Sequence, residues 1–185
     1  GIVKIKEDVI TNFTTTNGLP HNNVNCVRQD SDGNIWFGTN GHGLGKFDGT
    51  DFTSYTKADG LSNEYVRSIT QGLDGDIWIG TFGGGINRLH FESDSLVVSV
   101  FDKEKGTIQS DRVRAAMRDS QGTLWFGTDE GLCSTDGETW SCITETDGLS
   151  HKRVLVLFED KLQNLWVGTQ SGVNKKTDDG FVLAE

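Results

Sequence analysis

Histidines, cysteines and two glycine-rich stretches are the residues of this 185-residue chain whose types could do chemistry. His21, His42, His90 and His151 show neither Cys/His nor His-x-x-x-His spacing, and no nucleophile has a base beside it in sequence. Gly41-His42-Gly43-Leu44-Gly45 and Gly83-Gly84-Gly85 have the composition of a phosphate loop. They open no helix, and phosphate cradles depend on helix amides and the helix dipole, so both read as turns. Asp30-Ser31-Asp32-Gly33-Asn34 is acidic enough for a calcium loop, but its glycine falls two places too early for the EF-hand spacing. It too reads as a turn. The expectation is a protein without a catalytic set, metal or cofactor.

Cys26, Cys133 and Cys142 make an odd count. The last two flank a turn at Asp136-Gly137-Glu138-Thr139. A two-residue loop at Gly137-Glu138 makes them a directly opposed, non-hydrogen-bonded pair with Cα atoms about 4.5 Å apart, within disulfide range. A four-residue loop makes them a hydrogen-bonded pair and leaves the bridge open. An oxidising compartment permits this bond, and Cys26 reads as a small core residue.

The elements that position these residues are written in a repeat. Asn34-Ile35-Trp36-Phe37-Gly38-Thr39 recurs as Asp76-Ile77-Trp78-Ile79-Gly80-Thr81, Thr123-Leu124-Trp125-Phe126-Gly127-Thr128 and Asn164-Leu165-Trp166-Val167-Gly168-Thr169. Periods of about 40 residues signal one supersecondary unit stacked on copies of itself. Each unit opens on a turn (Asn17-Gly18-Leu19, Asp59-Gly60-Leu61, the degenerate Gly106-Thr107-Ile108, Asp147-Gly148-Leu149). A strand led by Val24, Val66, Val113 or Val154 follows, then a second turn and the tryptophan strand. A glycine turn and two further strands complete the unit. Four short strands without a 3.6-residue apolar period predict an all-β propeller of four-stranded antiparallel blades. The boundaries are an outer half blade at 1–16 and blades at 17–58, 59–105, 106–146 and 147–185, all in one propeller region. Trp36, Trp78, Trp125 and Trp166, each beside a mid-strand glycine, read as packing between blades, not as sugar-stacking platforms.

In such a meander the loop entering the first strand and the loop from second to third strand share one end of the blade. That end holds His21, Asn22, Asn40, His42, Asn63, Glu64, Phe82, Asp111, Arg112, Asp129, Glu130, His151 and Lys152. These residues differ between blades while the frame repeats, the pattern of a scaffold carrying variable function, so they are the candidate ligand-binding set.

The order Gly-Leu-Pro, Val, Asp-Gly, Ile-Trp-Phe-Gly-Thr, Gly-Leu, Phe-Asp-Gly, Phe resembles the two-component regulator propeller repeat from about Asn17 to Thr177. The resemblance implies an extracytoplasmic, periplasmic sensor module of a bacterial hybrid histidine kinase or diguanylate cyclase that is not an enzyme and takes a small-molecule or oligosaccharide ligand. A protein-interaction scaffold is the alternative, and a propeller lyase or hydrolase a third reading. The half blade at the start, read as third and fourth strands, and Gly180 to Glu185, read as another fourth strand, predict part of a larger ring that self-associates through its blade ends. Seventeen basic against 27 acidic residues give a net charge of −10. That balance speaks against nucleic-acid partners. No apolar run approaches the roughly 20 residues needed to insert in a membrane, and no signal peptide is read.

Overall fold

The computed structural model describes residues 1–92 and 95–184. Ser93 and Asp94, inside the predicted second blade, and Glu185, where the last strand was expected to end, lie outside the described residues. A hairpin of β1 (Ile2–Lys6) and β2 (Val9–Phe13) precedes four antiparallel four-stranded sheets. These are β3 (Val24–Gln29) to β6 (Phe52–Tyr55), β7 (Val66–Gln71) to β10 (Ser95–Phe101), β11 (Val113–Arg118) to β14 (Trp140–Ile143), and β15 (Val154–Glu159) to β18 (Gly180–Leu183). Within each sheet the strands pair in chain order, and first strands of successive sheets touch, so they form the inner wall of a propeller arc.

The core lies between the sheets. Trp36 packs under the second blade with Leu61, Val66, Ile69, Ile77 and Leu89. Trp78 packs under the third with Ile108, Val113, Leu124 and Phe126, and Trp125 under the fourth with Leu149, Val154, Leu165 and Val167. Gly38, Gly80 and Gly127, two residues after these tryptophans, receive the leading valines Val66, Val113 and Val154 of the next blade. A Cβ on Gly80 would stand 2.5 Å from Cγ1 of Val113 and 2.4 Å from Oγ of Ser68, so no side chain fits there. Among the described residues no sheet covers the fourth blade: Trp166 is half-buried, and Val156 and Phe158 on the same face are 57% and 60% exposed. At the other end the β1–β2 hairpin covers the outer strands of the first blade. It leaves a cavity of about 350 Å³ lined by Ile2, Phe13, Val27, Ile35, Phe47 and Phe52.

The acidic turn at Asp30 has a structural task. Its carboxylate accepts from the Asn34 amide and side chain (both 2.8 Å) and from the indole N–H of Trp36 (2.7 Å), and Asp119 and Asp160 hold Trp125 and Trp166 the same way (2.7 and 2.8 Å). In the second blade Gly72 occupies this place, and the buried indole N–H of Trp78 has no partner among the described residues. There Asp76 instead takes Arg88 and Nδ1 of His90 (2.6 Å), with Glu92 on the other imidazole nitrogen at 3.4 Å.

Cys133 pairs with Cys142 across β13 (Gly131–Thr135) and β14, and the two form a disulfide. The connecting loop is the four-residue one, 136–139, because Thr135 pairs with Trp140. Two amides, those of Glu138 and Thr139, donate to Asp136 (2.9 and 2.8 Å). Cys26 is a free thiol packed at Gly38, and its burial pushes its pKa up to about 12.

Two predictions follow from these contacts. Trp78→Ala loses about 3–5 kcal/mol, the cost of a large buried aromatic, whereas Trp166→Ala, already half in water, loses about 1–2 kcal/mol. Equal urea midpoints for the two variants would contradict the packing role. The second concerns pH. Indole and amide donors from Trp166 and Asn164 hold the Asp160 carboxyl below its usual range; at Asp30 burial pushes upward, but donors from Asn34 and Trp36 outweigh it. These lowered values add stability above about pH 4 that disappears as pH falls through the folded-state pKa. His90 has the opposite sign: its bond to Asp76 raises its pKa, so its contribution is complete below about pH 6.5 and is lost as pH rises through the raised value. Urea midpoints across pH should therefore show a shallower acid limb in D30N/D160N and a smaller loss above pH 6.5 in H90Q.

Candidate functional site

The loops predicted to share one end do meet there, and main-chain bonds join them across blades. After the tryptophan strand β4 (Ile35–Thr39), Gly41 and Gly43 donate their amides to the carbonyl of Glu64 at the entry to the second blade (3.2 and 2.9 Å). Gly83 and Gly85 donate likewise to Asp111 at the entry to the third (2.8 and 3.0 Å). These amides are therefore spent on neighbouring carbonyls and cannot cradle a phosphate. Gly43 sits at φ 73°, and a Cβ there would stand 2.1 Å from the Tyr55 carbonyl oxygen, which explains the glycine. The turn after β12 (Leu124–Thr128) is shorter, and a side-chain bridge from Lys152 to Glu130 (2.8 Å) joins the third and fourth blades instead.

Several residues expected to bind ligand serve the loops themselves. Nδ1 of His21, Oδ1 of Asn63 and Nδ1 of His151 each accept from the amide two residues on (3.1, 2.8 and 2.9 Å). Asn22 accepts from the Thr15 amide (2.9 Å), Asp111 from Lys103 (2.8 Å), and Asn40 donates its amide to the Asn23 carbonyl (3.0 Å). His42 stacks on His21 with ring centres 4.0 Å apart.

Phe82, Arg112 and Asp129 come together in a cluster that also contains residues the sequence reading passed over. Each first strand carries a bulge directly after its leading valine, placed between Val24 and Cys26, Val66 and Ser68, Val113 and Ala115, and Val154 and Val156. A bulge leaves one residue unpaired and re-aims its side chain. The unpaired residues Asn25, Arg67, Arg114 and Leu155 converge with Phe82 around an open cleft of about 310 Å³. Guanidinium carbons of Arg112, Arg67 and Arg114 lie 4.9, 5.4 and 5.4 Å from the centre of the Phe82 ring. Asp129, only 7% exposed, is gripped by Nε and Nη2 of Arg114 (the latter at 3.2 Å), with Arg153 at 3.4 Å and Arg112 at 3.9 Å. The missed signal was the pair of residues flanking each leading valine: Asn23 and Asn25, Tyr65 and Arg67, Arg112 and Arg114, Arg153 and Leu155. They change from blade to blade around a fixed valine. Among the described residues no group of three His, Cys, Asp or Glu side chains is placed to hold a metal ion.

The chain matches the two component regulator propeller family model over residues 18–41, 107–130 and 148–171. The second blade, which carries Gly72, lies outside those ranges. No curated protein matches in sequence. Among solved structures, the extracellular domain assigned to a hybrid two component system, BT3049 of B. thetaiotaomicron, is 28% identical with a TM-score of 0.77, over 88% of this chain and 23% of that one. The extracellular domain assigned to BT4673 of the same organism is 17% identical with a TM-score of 0.74, over 97% of this chain and 27% of that one. A catalytically inactive virginiamycin B lyase from Staphylococcus aureus with quinupristin is 19% identical with a TM-score of 0.72, over 94% of this chain and 58% of that one. The chain thus spans about a quarter of the length of the first two, and the likenesses below 25% identity show the fold alone. Three segments of the chain thus match the two component regulator propeller model, and the chain shares the propeller fold of these extracellular domains.

Proposed function

We propose that the chain is the ligand-receiving part of an extracytoplasmic propeller in a bacterial signal receptor and that it performs no chemistry on what it binds. The observation that carries this reading is the loop end. A repeating main-chain frame there presents side chains that change between blades around a cleft at the lower end of the usual size for small-ligand sites. The likeness, at 28% identity, to the extracellular domain of a hybrid two component system supports the receptor role and the compartment. The Cys133–Cys142 disulfide supports the compartment too, since such bonds persist in oxidising surroundings. Carbohydrate is the ligand class the family resemblance suggests. Thermal shift against a panel of mono- and oligosaccharides should show a saturable rise in Tm that H42A/F82A abolishes. A scaffold predicts no shift with any small molecule, and a lyase or hydrolase predicts consumption of the ligand, which chromatography of the mixture would reveal.

We further propose that the blade ends meet a second copy of the chain, so that ligand and association are coupled. Register supports the pairing. Phe181, opposite Lys176, lies edge-on to Trp125 of the preceding blade at 6.3 Å, and Ile10, opposite Ile5, holds the corresponding place in the hairpin. Ile5 and Ile10 are 70% and 64% exposed, as apolar as the Trp166 face they would cover. Light scattering should give a mass that rises with concentration in the native chain and stays near 20.3 kDa in I10D/F158D. A native particle that remains monomeric throughout removes the coupling.

A further inference from the structure

Arginines gather at the loop end of a chain whose net charge is −10. Arg67, Arg112, Arg114 and Arg153 surround one ring, Phe82, and one buried carboxylate, Asp129. Asp129 neutralises one positive charge of the four. Arg67 has no carboxylate partner among the described residues; its side-chain contact is Oδ1 of Asn25 at 3.5 Å. Nε of Arg153 is buried and, among the described residues, has the Asp129 carboxylate at 3.4 Å but no hydrogen bond. Like charges at these separations repel at any protein dielectric, and only part of that is offset by the Phe82 face. The arrangement persists because the bulges fix where the first strands aim Arg67 and Arg114, whatever their charge.

We propose that this cleft binds the carboxylate of a small organic ligand, held by the Arg67 guanidinium that lines it together with Arg112, which lies beside it over the Phe82 ring, with the neutral body of the ligand against Leu155 and Asn25. The inference rests on the reading of the loop end as a ligand site and adds the charge and class of what enters. Guanidinium forks match a planar carboxylate through paired N–H donors, which a lysine could not reproduce. The wall of the cleft is part apolar, through Phe82 and Leu155, which favours an organic acid over a bare inorganic anion. Arg114 serves as a positioning residue, since its fork is already engaged by Asp129 and holds that carboxylate away from the ligand.

Calorimetric titration at low ionic strength with gluconate, glucose and sulfate separates the components, because gluconate and glucose share a six-carbon polyol body and differ in the carboxylate. Gluconate should bind at least tenfold more tightly than glucose or sulfate, weaken as sodium chloride is added, and lose at least tenfold in R67Q and in R112Q. Unliganded R67Q should melt no lower than the native chain in low salt, because removing that charge relieves repulsion; this readout needs no ligand. Glucose bound as tightly as gluconate, and lost in H42A/F82A, would overturn the carboxylate while leaving the loop end as a ligand site. Gluconate binding that R67Q and R112Q leave unchanged, or no gluconate binding in the millimolar range, also overturns it. A blank response both to the saccharide panel and to gluconate counts against the ligand reading itself.

Discussion

Three blades depend on one contact: a tryptophan of one sheet lies under the next sheet, and the glycine two residues later receives that sheet's leading valine. The contact is directional, since the covering face belongs always to the following blade. It couples sequence to geometry twice over. The indole needs an apolar roof, which the next blade supplies, and a partner for its N–H, which the turn aspartate supplies in three blades of four. Burying a large aromatic together with a satisfied polar tip is among the strongest arrangements a small sheet has. It lets a chain with a low apolar fraction fold without a single central core, since each sheet is buried only by its neighbours.

Once the blades are fixed, the loop end is stitched through the main chain. Glycine amides bond to carbonyls of the next blade's entry, and the threonine ending each tryptophan strand bonds to the carbonyl of the turn, as Thr39 does to Gly43 at 2.8 Å. Neither bond consults the identity of the side chains facing the axis. This separation lets Arg67 and Arg114 stand where the other blades have Asn25 and Leu155, and Phe82 where they have Asn40, Asp129 and Gln170, without cost to the frame. The same logic explains why His21, Asn63 and His151 carry less function than their exposure suggested: their polar atoms are occupied in shaping the entry turn.

The fold was legible because its determinants are periodic. The six-residue phrase around each tryptophan, the Gly-Leu turns and the leading valines each recur, and the strand order and the half blade could be read from them. Cys133 and Cys142 could be placed opposite one another because the turn at Asp136 fixes the ladder on either side, although the loop length remained open. The binding cleft was legible only in part. Loop topology pointed to Phe82, Arg112 and Asp129, but the bulge that turns Arg67 and Arg114 toward the axis leaves no mark in residue type: the residue after the valine is Asn, Arg, Arg or Leu. Plain strand alternation assigns that residue to a blade face. A single extra residue in the ladder changes the assignment, and it shows only in the register.

The second blade illustrates how such a repeat diverges under constraint. Replacing the turn aspartate by Gly72 removes the acceptor of Trp78, and the neighbouring position, asparagine or threonine in the other blades, becomes Asp76, which recruits Arg88 and His90 from the third strand. The charge has moved from the indole to the outer strands, and Arg88 now stacks over the Trp78 ring with its guanidinium carbon 5.5 Å from the centre. The tryptophan stays, still roofed by the third blade, while the polar contact that once fixed it is exchanged for a cation on its face. Burial of the ring therefore outranks satisfaction of its N–H in this architecture. The blade that gave up the turn tie is also the one that contributes both Arg67 and Phe82 to the axial cleft, and the two departures sit at opposite ends of the same strands, where each can vary without disturbing the other.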